Sequence, residues 1–156
     1  MNDAGKIEAR LQELGLVLPP VVAPVATYVP FVRTGNLLFL SGQTPRRPEG
    51  GFFTGIVGAE VTTEQARDHA RRVGLQLLAV LREAAGGLDH VARIVKLFGM
   101  VNGAPGFGEQ PTVINGCSDL FVEVFGERGR HARSAVGMGS LPGNCTVEVE
   151  LIAEVM

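Results

Sequence analysis

The stretch Val91-Ala92-Arg93-Ile94-Val95-Lys96-Leu97-Phe98-Gly99-Met100-Val101 decides the fold. As a strand it sends Val95, Leu97 and Val101 to one side and Ile94, Phe98 and Met100 to the other. Only Arg93 and Lys96 bring charge. A strand apolar on both faces needs cover on both. Immediately upstream, Thr62 with Gln65 makes a capping box. The apolar stripe Ala66, Ala70, Val73, Leu77, Leu81 and Ala84 then follows helical spacing until Gly86-Gly87 stops it. That helix can cover one face. With little other helix to hand, a second copy of the chain is the expected cover for the other.

Downstream, Pro111 to Phe125 reads as a second helix: proline suits its first turn, and Ile114, Cys117, Phe121 and Val124 or Phe125 form its stripe. Two strands, Ala132 to Met138 and Cys145 to Val155, close the chain. Near the start, Val29 to Arg33 and Leu37 to Ser41 form a hairpin through Thr34-Gly35-Asn36. The polar loop Thr44 to Gly51 follows, and Phe53 to Val57 is expected as a further short strand. The order β-β-β-α-β-α-β-β predicts one α+β domain, a single sheet with two helices on one face. It spans 25–156. Residues 1–24 form an N-terminal extension, with a short amphipathic helix on Ile7, Leu11 and Leu14 and a proline-rich arm behind it.

At 156 residues the chain can bury a real core without staples. It is 46% hydrophobic and 19% charged, against about 25% charged in an average domain. So few charges point to surface hidden against a partner. The net charge of −2 gives no field for a polyanion, which argues against nucleic acid as a partner. Cys117 and Cys145 stand alone, with neither CxxC spacing nor a histidine cluster, and read as two reduced, small hydrophobes. A zinc site lacks ligands. Met1 to Lys6 carry no apolar signal core, and the uncharged run Gly15 to Val32 is broken by Pro19, Pro20, Pro24 and Pro30. No membrane span is expected, and the chain reads as cytoplasmic.

His69, His90 and His131 are scattered, and none sits in a nucleophile–base motif. HExxH, GxSxG, P-loop and GxGxxG patterns are absent. What remains is Arg133 near the start of one strand and Glu148 with Glu150 on the next, both carboxylates on one strand face. Two readings stand: a solvated edge face, or an acid beside an arginine that grips a carboxylate.

Four segments resemble the RidA/YjgF family of small trimeric enamine/imine deaminases, also described as L-PSP endoribonucleases. They are Tyr28 with Gly35-Asn36-Leu37-Leu38-Phe39-Leu40-Ser41-Gly42-Gln43; Asn115; Ala132-Arg133-Ser134-Ala135-Val136; and Leu141-Pro142 followed by Val147-Glu148-Val149-Glu150-Leu151-Ile152-Ala153. The similarity covers roughly Tyr28 to Val155. It implies a chorismate-mutase-like fold in a trimeric barrel assembly. It also implies hydrolysis of reactive 2-imino or 2-enamino acids to 2-keto acids and ammonia. By position, Arg133 matches the arginine that holds the substrate carboxylate, and Glu148 the acid that helps place the attacking water. Tyr28, Ser41 and Asn115 match pocket positions, some supplied by a neighbouring subunit. No metal or organic cofactor is implied; the partners are a small carboxylate-bearing metabolite and two further copies.

The chain departs from the pattern in four places. Ala26-Thr27 replace the Gly-Pro frequent before the tyrosine, and Phe31 replaces a small or polar residue. Ala135 replaces a cysteine that commonly follows the arginine, and the start is longer. These changes suit a divergent branch, and they keep open a non-catalytic module that binds a small acid at a subunit interface.

Overall fold

The computed structural model describes residues 5–156, so the reading of Met1 to Ala4 lies outside the described residues. Helix α1 (Lys6–Glu13) is followed by strands β1 (Phe31–Thr34) and β2 (Leu37–Gln43) and helix α2 (Thr63–Ala85). Strand β3 (Val91–Asn102), helix α3 (Gln110–Phe125) and strands β4 (Ala132–Met138) and β5 (Val147–Val155) complete the order. The strands form one mixed sheet in the order β1-β2-β5-β3-β4. Among the described strands of the sheet only β3 and β4 run parallel, and α3 makes the crossover between them.

The capping box forms as expected: Gln65 N–H donates to Thr62 Oγ1 at 3.1 Å, and Thr62 N–H donates to Gln65 Oε1 at 2.9 Å. At the far end Gly86 takes a left-handed conformation with φ 71°. Ala66, Ala70, Val73, Leu77 and Leu81 are fully buried, as are Ile114, Cys117 and Phe121 on α3. Both helices lie on the sheet face that carries Leu38, Ile94, Leu97, Val149 and Leu151. The extension contributes to the same core. Ile7 and Leu11 are buried in it, Leu16, Leu18 and Val21 pack against it, and Ile7 N–H donates to Asp89 Oδ1 at 2.8 Å.

Three expectations need correction. No regular strand forms over Phe53 to Val57; isolated bridges from Thr54 to Cys145 and from Val57 to Val61 and Gly103 hold that segment. Pairing there is too intermittent to build a ladder, so the sheet has five strands rather than six. The flanking strands begin at Phe31 and Val147, not at Val29 and Cys145. Finally, Ile94 is fully buried and joins the core with Leu97 and Val101, rather than pointing away from them. The pairing of β3 with β5 shifts register between Ile94 and Lys96, and that bulge reverses the alternation.

Among the described residues no helix lies over the other sheet face. Register sets Val32, Phe39, Ile152 and Lys96 in one row across it, Glu150, Phe98 and Ser134 in the next, and Glu148, Met100 and Val136 in a third. Phe39 is 42% and Val136 37% exposed.

Candidate active site

Arg133 pairs with Leu97 in the parallel β3–β4 ladder, and Leu97 faces the helices. The guanidinium therefore reaches under α3. There Nη1 donates to Asn115 Oδ1 at 2.8 Å and to Ser118 Oγ at 3.1 Å, and Nη2 approaches the Pro111 carbonyl at 3.5 Å. Asn115 and Ser118 are three residues apart on the helix, so both present to the same side. Among the described residues no carboxylate pairs with Arg133, and the side chain is half-buried. A half-buried cation held by neutral acceptors keeps its charge available for an anion.

Behind it stands His131. Its Nδ1 lies 2.7 Å from the Gly129 carbonyl, which can only accept, so Nδ1 carries the proton. Nε2 is then an acceptor for the Ser118 hydroxyl at 2.9 Å. Ser118 thus gives its proton to His131 and turns a lone pair to Arg133. Burial, and after it the Arg133 charge, hold His131 below its ordinary range, against the pull of the Gly129 hydrogen bond. Sequence spacing gave no sign of this serine–histidine pair.

Glu148 is elsewhere. It pairs with Met100 on the uncovered sheet face, whereas its neighbour Val149 pairs with Gly99 on the helix face. Its carboxylate rests against Gly42, where an added Cβ would overlap Glu148 Oε1. Burial and then the neighbouring charge of Glu150 push its pKa up. Next to Gly42, Ser41 donates from Oγ to the Val29 carbonyl at 2.6 Å and from N–H to the Pro30 carbonyl at 2.9 Å. These bonds tie the Tyr28 segment to β2, and Tyr28 itself is 53% exposed.

Within one chain, then, the sequence-predicted residues fall into two groups. Arg133 and Asn115 come together on the helix face, joined by Ser118 and His131. Glu148, Ser41 and Tyr28 belong to the Gly42 region, with Glu148 on the opposite face. Phe31 pairs with Leu40 and packs against the core. Ala135 also packs against the core. Both cysteines are buried, and burial pushes both thiols up, that of Cys117 far above its ordinary range. Among the described residues no three His, Cys, Asp or Glu side chains converge as a metal would require.

The family profile described as YjgF/chorismate mutase-like, with a proposed endoribonuclease role, matches residues 8–155. Protein TCP17 of Trypanosoma cruzi is 45% identical over 152 residues, 97% of this chain and 95% of its own length. A solved structure of a protein of unknown function from Agrobacterium tumefaciens superposes with a TM-score of 0.87 at 46% identity, covering 96% of this chain and 94% of that one. The 2-iminobutanoate/2-iminopropanoate deaminase of Dermatophagoides farinae is 27% identical over 134 residues, 86% of this chain and 90% of its own length.

Proposed function

The chain belongs to the YjgF/chorismate mutase-like (RidA/YjgF) family, and from that premise we propose that it hydrolyses 2-imino and 2-enamino acids to 2-keto acids and ammonia. One observation carries the reading: a half-buried guanidinium oriented by Asn115 and Ser118, with no carboxylate partner among the described residues. A planar substrate carboxylate fits that fork.

The acid that works with Arg133 comes from a second copy. In one chain Glu148 lies across the sheet from Arg133, so the complete site needs the helix-face group of one subunit and the Gly42 group of the next. The uncovered row of Val32, Phe39 and Ile152 is the surface that brings copies together, in a homotrimer. With the carboxylate clamped, water held by Glu148 adds to the imine carbon, forming a C–O bond. Glu148 takes a proton from that water and passes it to the nitrogen. That gives a carbinolamine with a C–N single bond. Its hydroxyl proton then passes by way of Glu148 to the amine, the C–N bond breaks, and ammonia leaves as C=O forms. A 2-enamino acid first takes a proton at carbon to become the imine. The reaction is easy in water, so placement and one proton carrier suffice. Its raised pKa makes Glu148 a more basic carboxylate than an exposed one, which favours it as the proton carrier.

The test is release of 2-keto acid from imines generated in situ. Arg133→Ala is expected to lose the acceleration over the uncatalysed rate while keeping its fold and assembly; unchanged turnover would remove the proposal. One observation favours a second reading, a binding module without turnover: Ala135, where a cysteine is common in the family, is turned to the core. Bound 2-ketobutyrate in a soaked crystal without ammonia release in solution would support it. Ribonuclease activity has less behind it, since a net charge of −2 offers a polyanion no field.

A further inference from the structure

We infer that the N-terminal arm and the loop after β2 build a second small-molecule site, for an organic acid with an apolar body. The arm runs from Leu16 to Pro24 beside α2, and with the loop it lines a half-open cavity of about 510 Å³. That is the size of ordinary ligand pockets, about 300–1,000 Å³. Pro20, Val22 and Leu75 supply apolar wall, and Arg46, Arg47 and Arg72 converge on the same space. Prolines make a wall that loses little freedom on binding.

The three arginines are not equivalent. Arg47 is fixed: Nε donates to the Phe52 carbonyl at 3.0 Å, the guanidinium lies 5.0 Å from the Phe53 ring, and Glu49 stands 3.8 Å away. Arg72 is fixed too, with Nε on Asp68 at 3.1 Å and its guanidinium 5.2 Å from the same ring. Arg46 is anchored only through its backbone, whose N–H donates to Gln76 Oε1 at 3.0 Å. Among the described residues its guanidinium has no ion pair or hydrogen bond. Three cations thus face two carboxylates around a cavity with an apolar wall. An anionic head on Arg46, with Arg47 and Arg72 beside it and a hydrocarbon body along the arm, balances both charge and surface. This site is separate from the Arg133 group and stands whether or not the deaminase reading does.

Calorimetric titration of the full chain with octanoate, acetate and octanamide tests it. Octanoate is expected to saturate. Acetate lacks the body and octanamide the charge, so each should bind at least about ten-fold more weakly. Arg46→Ala should weaken octanoate about ten-fold or more, measured in an Arg133→Ala background so that the Arg133 group takes up no carboxylate. Val22→Glu, an exposed position, should weaken it likewise by setting a carboxylate at the mouth. The inference is overturned if octanoate fails to saturate, if octanamide binds equally well, or if Arg133→Ala alone abolishes the heat.

Discussion

Arg133 is only as useful as the groups that aim it. Asn115 and Ser118 both accept from Nη1, and Ser118 is itself aimed by neutral His131. Ser118→Ala keeps one acceptor and loses the other, so it should raise KM by roughly ten-fold and change kcat by less than about two-fold. A fall in kcat with KM unchanged would mean that Ser118 does not act through substrate binding. His131 also carries a pH signature. Because its folded pKa is depressed, the unfolded chain binds the extra proton first as pH falls through the ordinary histidine range, and stability drops there. Denaturant midpoints of wild type and His131→Gln should therefore diverge least in acid, where the wild type has lost its advantage. Glu148 runs the other way. Its raised folded pKa means that ionisation disfavours the fold, so its contribution falls as pH rises from the ordinary carboxylate range through the folded value. Glu148→Gln should stabilise the chain at neutral pH while abolishing turnover; a destabilised variant would refute the desolvation argument. Gly42→Ala should displace that carboxylate, lowering kcat with little loss of stability, because the atom it meets is the end of a flexible side chain.

At the scale of elements, the two long helices depend on one close approach. A Cβ on Gly116 of α3 would overlap the Arg67 carbonyl of α2, and one on Gly74 would meet Leu120 at 2.8 Å. Backbone cannot yield as a side chain can, so Gly116→Ala should cost about 2 kcal/mol or more, read from denaturant midpoints. A neutral result would mean the helices slide apart freely. The helices were legible in the sequence because their signals are local: a cap, a stripe at helical spacing and a terminal glycine. The bulge at Ile94–Lys96 was not, since it is set by β5, whose paired residues Ala153 and Ile152 lie far along the chain. Phe53 to Val57 looked like a strand for its β-prone residues, but a strand exists only where a partner offers a ladder, and here the bridges are single. The Ser118–His131 contact escaped for a similar reason: the turn between α3 and β4 brings it about, and no spacing encodes that turn.

For the whole molecule, the sequence supplied the candidate residues but not that one chain divides them between two sheet faces. Alternation along β5 placed Glu148 opposite Val147 and Val149. Placing Arg133 required the parallel register of β4 on β3, a long-range fact. Together the two put Arg133 and Glu148 on different faces of the sheet, so the proposed chemistry would require a second copy. Subunit mixing tests that requirement most directly. Arg133→Ala and Glu148→Gln chains, each inactive alone, are unfolded together, refolded at equal ratio and assayed for keto-acid release. If each site takes its arginine from one copy and its glutamate from the next, random assembly should restore about a quarter of wild-type activity. A mixture as inactive as its parents would contradict a site shared between subunits.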